Sequence, residues 1–159
     1  MKKHGLAALA LLLAMGSALG QEARPKTPGQ TLYLPVYSHL LYGNVVRSGS
    51  VSQVLLSALV SIRNTDPKRT IRVNFANYYN TQGKLLRNFV PQAVAVPPFG
   101  THELFVEQND VSGGSGANFV IEWSADGPAN PPLVEGLHAN MDSGKAVIVT
   151  TQAVPIRMD

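Results

Sequence analysis

Short runs in which apolar and polar residues alternate recur along the chain, and they predict β-strands. The clearest run, 55–64, places an apolar residue at every second position, which is the period of a strand that buries one face. A turn rich in Asn, Asp and Pro follows at 64–68. The alternation then continues through Ile71, Val73 and Phe75, so we expect these three side chains to share one buried face.

Eight such runs are separated by glycine and proline corners, at intervals of roughly 10–15 residues. Thr101 to Gln108 has a weak helical alternative, but Phe105 and Val106 favour a strand there. The pattern therefore predicts an all-β protein, an antiparallel two-sheet sandwich that is immunoglobulin-like in the broad sense. A small β-barrel is the alternative. The predicted strands are 31–37, 55–64, 71–79, 85–90, 103–106, 119–123, 133–139 and 146–151.

Four residues on these runs are predicted to form the core between the sheets, namely Ile62, Val73, Phe119 and Trp123. Glu122 precedes Trp123 and should face the other way, toward solvent or a neighbouring-strand arginine.

Pro35 predicts a sheet edge or a bulge, because proline cannot donate to a strand ladder. Five tyrosines are expected mainly to fill the core with the hydroxyl at its rim, with sugar or protein contact as the alternative: Tyr33, Tyr37, Tyr42, Tyr78 and Tyr79.

The first twenty residues have the organisation of a secretory signal peptide. Lys2 and Lys3 precede an apolar run at 6–15, and small residues close the segment at 18–20. The apolar run is shorter than the about 20 residues that span a bilayer. We therefore expect a signal peptide at 1–20, a flexible leader at 21–29 and a single β-sandwich domain at 30–159. The mature protein should be exported, periplasmic or extracellular, and not membrane-spanning.

The net charge and the absence of cysteine restrict the classes of partner and of metal site that we expect. The chain has 13 basic and 10 acidic side chains, and loss of Lys2 and Lys3 with the signal peptide lowers the net charge from +3 to +1. Such a balance provides no electrostatic reason to expect nucleic acid or anionic lipid as a partner. No cysteine is present, so neither a disulfide nor a thiolate metal site can form.

Three segments in order resemble one family: Gln30 to His39, Ser61 to Pro67 and Ser112 to Phe119. Together they resemble a bacterial family of small exported proteins that is known only as a domain of unknown function. The resemblance covers about residues 30–155. It implies a small secreted or periplasmic domain without an established activity, and it assigns no catalytic residues.

A glycine-rich segment precedes the strand at Phe119. It differs from the serine-protease sequence Gly-Asp-Ser-Gly-Gly, because Val111 separates the acid from the serine, and it lacks the Lys-Ser/Thr of a phosphate-binding loop. A tight structural turn is the first interpretation, since glycine serves unusual backbone angles. A ligand-contacting loop is the second. On that second interpretation the predicted binding residues are Asp110, Ser112, Gly113, Gly114, Ser115 and Asn118.

Histidines and carboxylates offer the remaining chemistry. His39, His102 and His138, with Glu103, Glu135 and Met141 nearby in sequence, show no recognised metal-ligand spacing, so we predict surface or half-buried structural histidines. Nothing in the sequence selects a second acid to pair with Glu122 for glycoside hydrolysis.

We expect no metal, no cofactor and no catalytic residue. The predicted function is binding or scaffolding of an unknown protein or glycan at the cell envelope; the alternative is a small metal-handling protein or hydrolase using His and carboxylates.

Overall fold

A computed structural model describes residues 24–141 and 144–158, and within these ranges the chain is all-β without a helix. No helix in that part of the chain could therefore cross a membrane. The strands are β1 (Thr27–Val36), β2 (His39–Tyr42), β3 (Ser52–Leu55), β4 (Ser57–Arg63), β5 (Ile71–Tyr79), β6 (Leu85–Asn88), β7 (Val94–Val96), β8 (Thr101–Val106), β9 (Ala117–Ala129), β10 (Leu133–Asn140), β11 (Val147–Gln152) and β12 (Val154–Ile156).

Two antiparallel sheets form a sandwich. One has the order β12-β1-β9-β5-β6, with β7 also paired to β5, and the other has the order β11-β10-β4-β8. None of the described sheets closes into a barrel, so the sandwich prediction is confirmed. A third, two-stranded sheet consists of β2 and β3.

The sandwich core contains the four residues that the sequence pattern predicts. Ile62, Val73, Phe119 and Trp123 are all buried. The Phe119 ring stacks on the ring of Tyr78, with ring centroids 4.9 Å apart. Alternation along a strand thus identifies the core face wherever the strand pairs regularly.

Strand β5 contains a bulge that overturns one prediction. Val73 is paired with Trp123 and Phe75 with Glu122, which leaves Asn74 as an extra residue between them. An extra residue reverses the faces of the side chains that follow it. Consequently Phe75 leaves the core face, and Ala76 and Tyr78 are buried instead.

The predicted boundaries at the N-terminus need one correction. The predicted signal peptide at 1–20 lies outside the described residues, as does 21–23 of the predicted leader. Thr27 to Gly29, which the leader also included, already belong to β1. Pro35 lies beyond Tyr33, the last β1 residue paired with β12, so β1 is a sheet edge at that point, as predicted.

The strand registers bring several connections to the same end of the sandwich. Val36 is paired with Ala117, and Ser57 with Ala139, so the last residues of β1 and β10 lie beside the first residues of β9 and β4. We call this the hairpin end, because the β2–β3 hairpin leaves the sandwich there. It comprises connections 37–56, 80–84 and 107–116 and the described part of 141–146.

Candidate functional site

Ser38 anchors the β2–β3 hairpin to the sandwich. Its backbone N–H donates to the carbonyl of Gly114 over 3.0 Å, and its own carbonyl accepts from the N–H of Leu56 over 2.9 Å. Its hydroxyl lies 3.2 Å from the hydroxyl of Tyr78 in a buried hydrogen bond. Burial also raises the pKa of the Tyr78 phenol, so the phenol stays neutral. The point where the hairpin leaves the sandwich is therefore fixed at both of its strands.

The glycine-rich loop is packed against this anchor. The Gly113 carbonyl accepts from the backbone N–H of Thr81 over 2.9 Å and from its hydroxyl over 3.1 Å. A Cβ at Gly113 would overlap the Tyr78 hydroxyl and come within 2.7 Å of the Ala117 Cβ. Gly114 has a φ of +80°, a conformation that side chains other than glycine rarely adopt. Both glycines therefore have a structural reason to be glycine.

The other predicted binding residues are half-buried or exposed near the hairpin end. The Asp110 carboxylate accepts hydrogen bonds from the backbone N–H and the hydroxyl of Ser112, which ties the two residues to each other. Ser115 is half-buried, and Asn118 lies in β9, half-buried and paired with Pro35. Ser112 is exposed and Asp110 half-buried at the hairpin end. Contact between these residues and a partner stays a prediction.

The hairpin presents large apolar side chains to solvent. Leu41 and Tyr42 on β2 are 56% and 58% exposed, and Val45 and Val46 in the loop are 69% and 56% exposed. Isolated apolar residues are common on protein surfaces, whereas a contiguous group marks an interaction site or a membrane contact. This group lies within six consecutive positions of one hairpin. It is thus the main candidate for a functional surface at the hairpin end.

A groove of about 560 Å³ runs between the hairpin and the β10–β11 connection. Its volume lies within the range of about 300–1,000 Å³ that is usual for small-ligand sites. Among the described residues, the lining side chains are mainly apolar, with Asn140 and Lys145 as the exceptions: Leu40, Leu41, Tyr42, Val54, Asn140, Lys145 and Val147. The Asn140 side-chain amide donates to the carbonyl of Leu55 over 2.8 Å, which ties β10 to the base of the hairpin.

Sequence reasoning missed this surface. Leu40, Leu41 and Tyr42 are consecutive, so they show no alternation that would mark a half-buried strand. The exposure of Leu41 and Tyr42 follows from the separate sheet that β2 and β3 form outside the core. The available indication was the cluster of valines in a turn segment at 43–51, where polar residues are usual.

His138 is more buried than predicted. Its side chain is fully enclosed, with Nδ1 3.1 Å from the carbonyl oxygen of Val149 and with the Tyr37 ring in edge contact, at a centroid distance of 5.6 Å. Nε2 is buried and has no hydrogen-bond partner. Burial lowers the pKa of this imidazole, because the interior disfavours its charged form. The prediction of a surface or half-buried position for His138 is therefore wrong, because the ring occupies the core side of β10.

Two of the predicted acidic candidates have side-chain partners, whereas Glu103 is exposed on β8. Glu122 accepts a hydrogen bond from the Asn74 amide over 2.9 Å, and Glu135 forms an ion pair with Arg63 over 3.5 Å. Glu122 is half-buried on the face opposite the buried Trp123, as predicted, and its side-chain partner is an asparagine at the β5 bulge. In the described part of the chain no group of three or more His, Asp or Glu side chains is placed to hold a metal ion.

At the end of the sandwich opposite the hairpin, the buried carboxylate of Asp66 links two turns. Asp66 accepts from the backbone N–H groups of Lys68, Arg69 and Asn130, each over 2.9 Å. The bond from Asn130, followed by those from Lys68 and Arg69, lowers the pKa of Asp66 to about 2. This carboxylate joins the β4–β5 turn to the β9–β10 turn. The predicted turn chemistry at 64–68 is confirmed, and its acid is occupied by backbone donors.

Comparison with known proteins adds a family but no activity. A family model described as "Protein of unknown function (DUF3124)" matches residues 29–156. The resemblance to an uncharacterised domain family is thereby confirmed. No curated protein matches. Among solved structures, "Crystal Structure of Thermotoga maritima 1070" is similar with 12% sequence identity and a TM-score of 0.45, over 79% of this chain and 92% of that chain.

Proposed function

The chain belongs to this family of proteins of unknown function, and for it we propose a non-enzymatic role: binding or scaffolding a partner at the cell envelope. The partner is a component of the envelope, and the protein reaches it by export. The N-terminal pattern of Lys2, Lys3 and the apolar run at 6–15 supports the export step.

One observation carries the proposal, the exposed apolar surface of the β2–β3 hairpin. Leu41, Tyr42, Val45 and Val46 are each more than half exposed, although burial of such side chains from water stabilises a protein. A chain that leaves them in solvent on an anchored hairpin gains from covering them with a partner. The rigid base at Ser38 supports the same reading, since binding residues concentrate on loops held by a fixed scaffold.

The contacts of three carboxylates also favour binding over catalysis. Asp66, Glu122 and Glu135 are engaged with neighbouring groups of the fold, and none of them lines the groove beside the hairpin. In the part of the chain that the structure describes, Asn140 and Lys145 contribute polar side chains to that groove, and Asn140 is held by its bond to Leu55. A few fixed polar groups in an apolar groove orient a bound molecule.

Two measurements test the proposal. N-terminal sequencing of protein from the periplasm or medium should begin near Gln21; an intact Met1 on that material would contradict export. A Leu41→Ser/Tyr42→Ser variant should then lose photo-crosslinking to isolated envelopes, while Phe105→Ser, which changes a 56% exposed residue of β8, should keep it. Equal crosslinking by both variants, at unchanged melting temperature, would contradict a binding role for the hairpin.

A further inference from the structure

We infer that the β2–β3 hairpin binds the surface of a lipid bilayer, with its loop at 43–51 entering the headgroup region and anionic lipids preferred. This inference rests on the proposed function and names its partner. It makes the protein a peripheral membrane protein that touches the bilayer through one hairpin.

The arrangement of the apolar side chains distinguishes a bilayer from a flat protein partner. Leu41 is paired with Gln53 and Tyr42 with Ser52, and successive residues of a strand point to opposite faces. Exposed apolar side chains therefore occur on both faces of the hairpin. A flat partner covers one face, whereas a bilayer interface surrounds an inserted loop on all sides.

The loop itself extends this apolar surface. Val45 and Val46 lie in the loop that joins β2 to β3, and both are largely exposed. The backbone of the loop is partly satisfied internally: the N–H of Val46 donates to Ser50 over 3.0 Å, and the N–H of Gly49 donates to Val46 over 2.8 Å. Internal bonds of this kind reduce the cost of moving backbone groups out of water.

The charges on the hairpin fit an anionic surface. Arg47 is the one Lys, Arg, Asp or Glu in the segment 39–55, and the stretch from Glu22 to Asp66 contains no acidic residue between its ends. Within 39–55 no carboxylate opposes entry into the headgroup region, and Arg47 attracts anionic lipid. The neighbouring connection at 141–146 adds no net charge, because it contains Asp142 as well as Lys145. The expected preference for anionic lipid therefore rests on Arg47.

Vesicle flotation tests the inference. The protein is purified from the cells that produce it, and every variant has the same N-terminus as the wild type. Wild type should float with phosphatidylcholine vesicles that contain phosphatidylglycerol. The Val45→Ser/Val46→Ser variant should lose about tenfold in the partition coefficient, from the apolar area that two valines contribute. Arg47→Gln should lose about fivefold with these vesicles. Phe105→Ser, the matched control, should float like wild type.

Two results would overturn the inference. One is the absence of flotation by wild type; the other is equal flotation by wild type and Val45→Ser/Val46→Ser. Light scattering identifies a different occupant: a wild-type dimer that Val45→Ser/Val46→Ser converts to a monomer would assign the hairpin to a second copy and also overturn it. If flotation fails while Leu41→Ser/Tyr42→Ser still abolishes crosslinking to an envelope protein or glycan, the proposed binding function stands without the lipid.

Discussion

Gly113 is expected to be the most sensitive glycine of the loop at 107–116, and Gly113→Ala tests this. The new Cβ would overlap the Tyr78 hydroxyl and lie 2.7 Å from both the Tyr78 Cζ and the Ala117 Cβ. Overpacking of this kind costs about 1–3 kcal/mol. Displacement of Tyr78 also breaks its hydrogen bond to Ser38, which adds about 1 kcal/mol. Reduced unfolded-state entropy offsets about 0.4–1 kcal/mol.

The net loss is therefore about 1–3.5 kcal/mol in the free energy of unfolding. For a domain of this size, that corresponds to a melting temperature lower by roughly 3–14 °C. Differential scanning calorimetry and urea unfolding measure both quantities. Gly116→Ala is the control in the same loop, since its φ is not positive and its nearest contact would be the Thr81 methyl at 3.1 Å.

A double-mutant cycle with Tyr78→Phe identifies the contact responsible. Tyr78→Phe removes the atom nearest to the new methyl group, so the double variant should be more stable than the sum of the two single losses predicts. Additive losses would refute the proposed overlap. A melting temperature for Gly113→Ala equal to that of Gly116→Ala would refute the structural role of Gly113 altogether.

Two further predictions concern the core. Trp123→Ala should lower the free energy of unfolding by about 3–5 kcal/mol, because the indole is fully buried; an unchanged denaturant midpoint would mean that it is not a core residue. Because of His138, the free energy of unfolding should decrease as the pH falls from the ordinary histidine pKa of 6.5 toward the lowered pKa of the folded state. In that pH range the unfolded chain binds a proton at His138 that the folded chain does not. Urea unfolding at several pH values should show this loss in wild type and in His102→Gln but a smaller one in His138→Gln; equal losses in all three would contradict the assignment.

The sequence by itself determined the all-β class, because strands with one buried face must alternate in polarity. That rule located β4 and the start of β5, and with them the core positions Ile62 and Val73, before any pairing was known. The turn at 64–68 was equally readable, since Asn and Asp side chains bond to backbone groups a few residues away. These features depend on local chemistry and on burial, and both are visible in a single chain.

Tertiary structure alone decided the faces beyond the β5 bulge and the functional surface. Asn74 interrupts the alternation at a point where its side chain contacts β9. Its side-chain NH2 group donates to Glu122, and its side-chain oxygen Oδ1 accepts from the Ser124 hydroxyl, so residues about fifty positions apart are joined. Gly113 must be glycine because Tyr78 lies against it. The exposure of Leu41 and Val45 likewise depends on where the hairpin leaves the sandwich. The bulge, the packing of Gly113 and the exposure of the hairpin all depend on contacts between residues that are far apart in sequence. The hydrophobic pattern of a single chain does not show which remote residues are in contact.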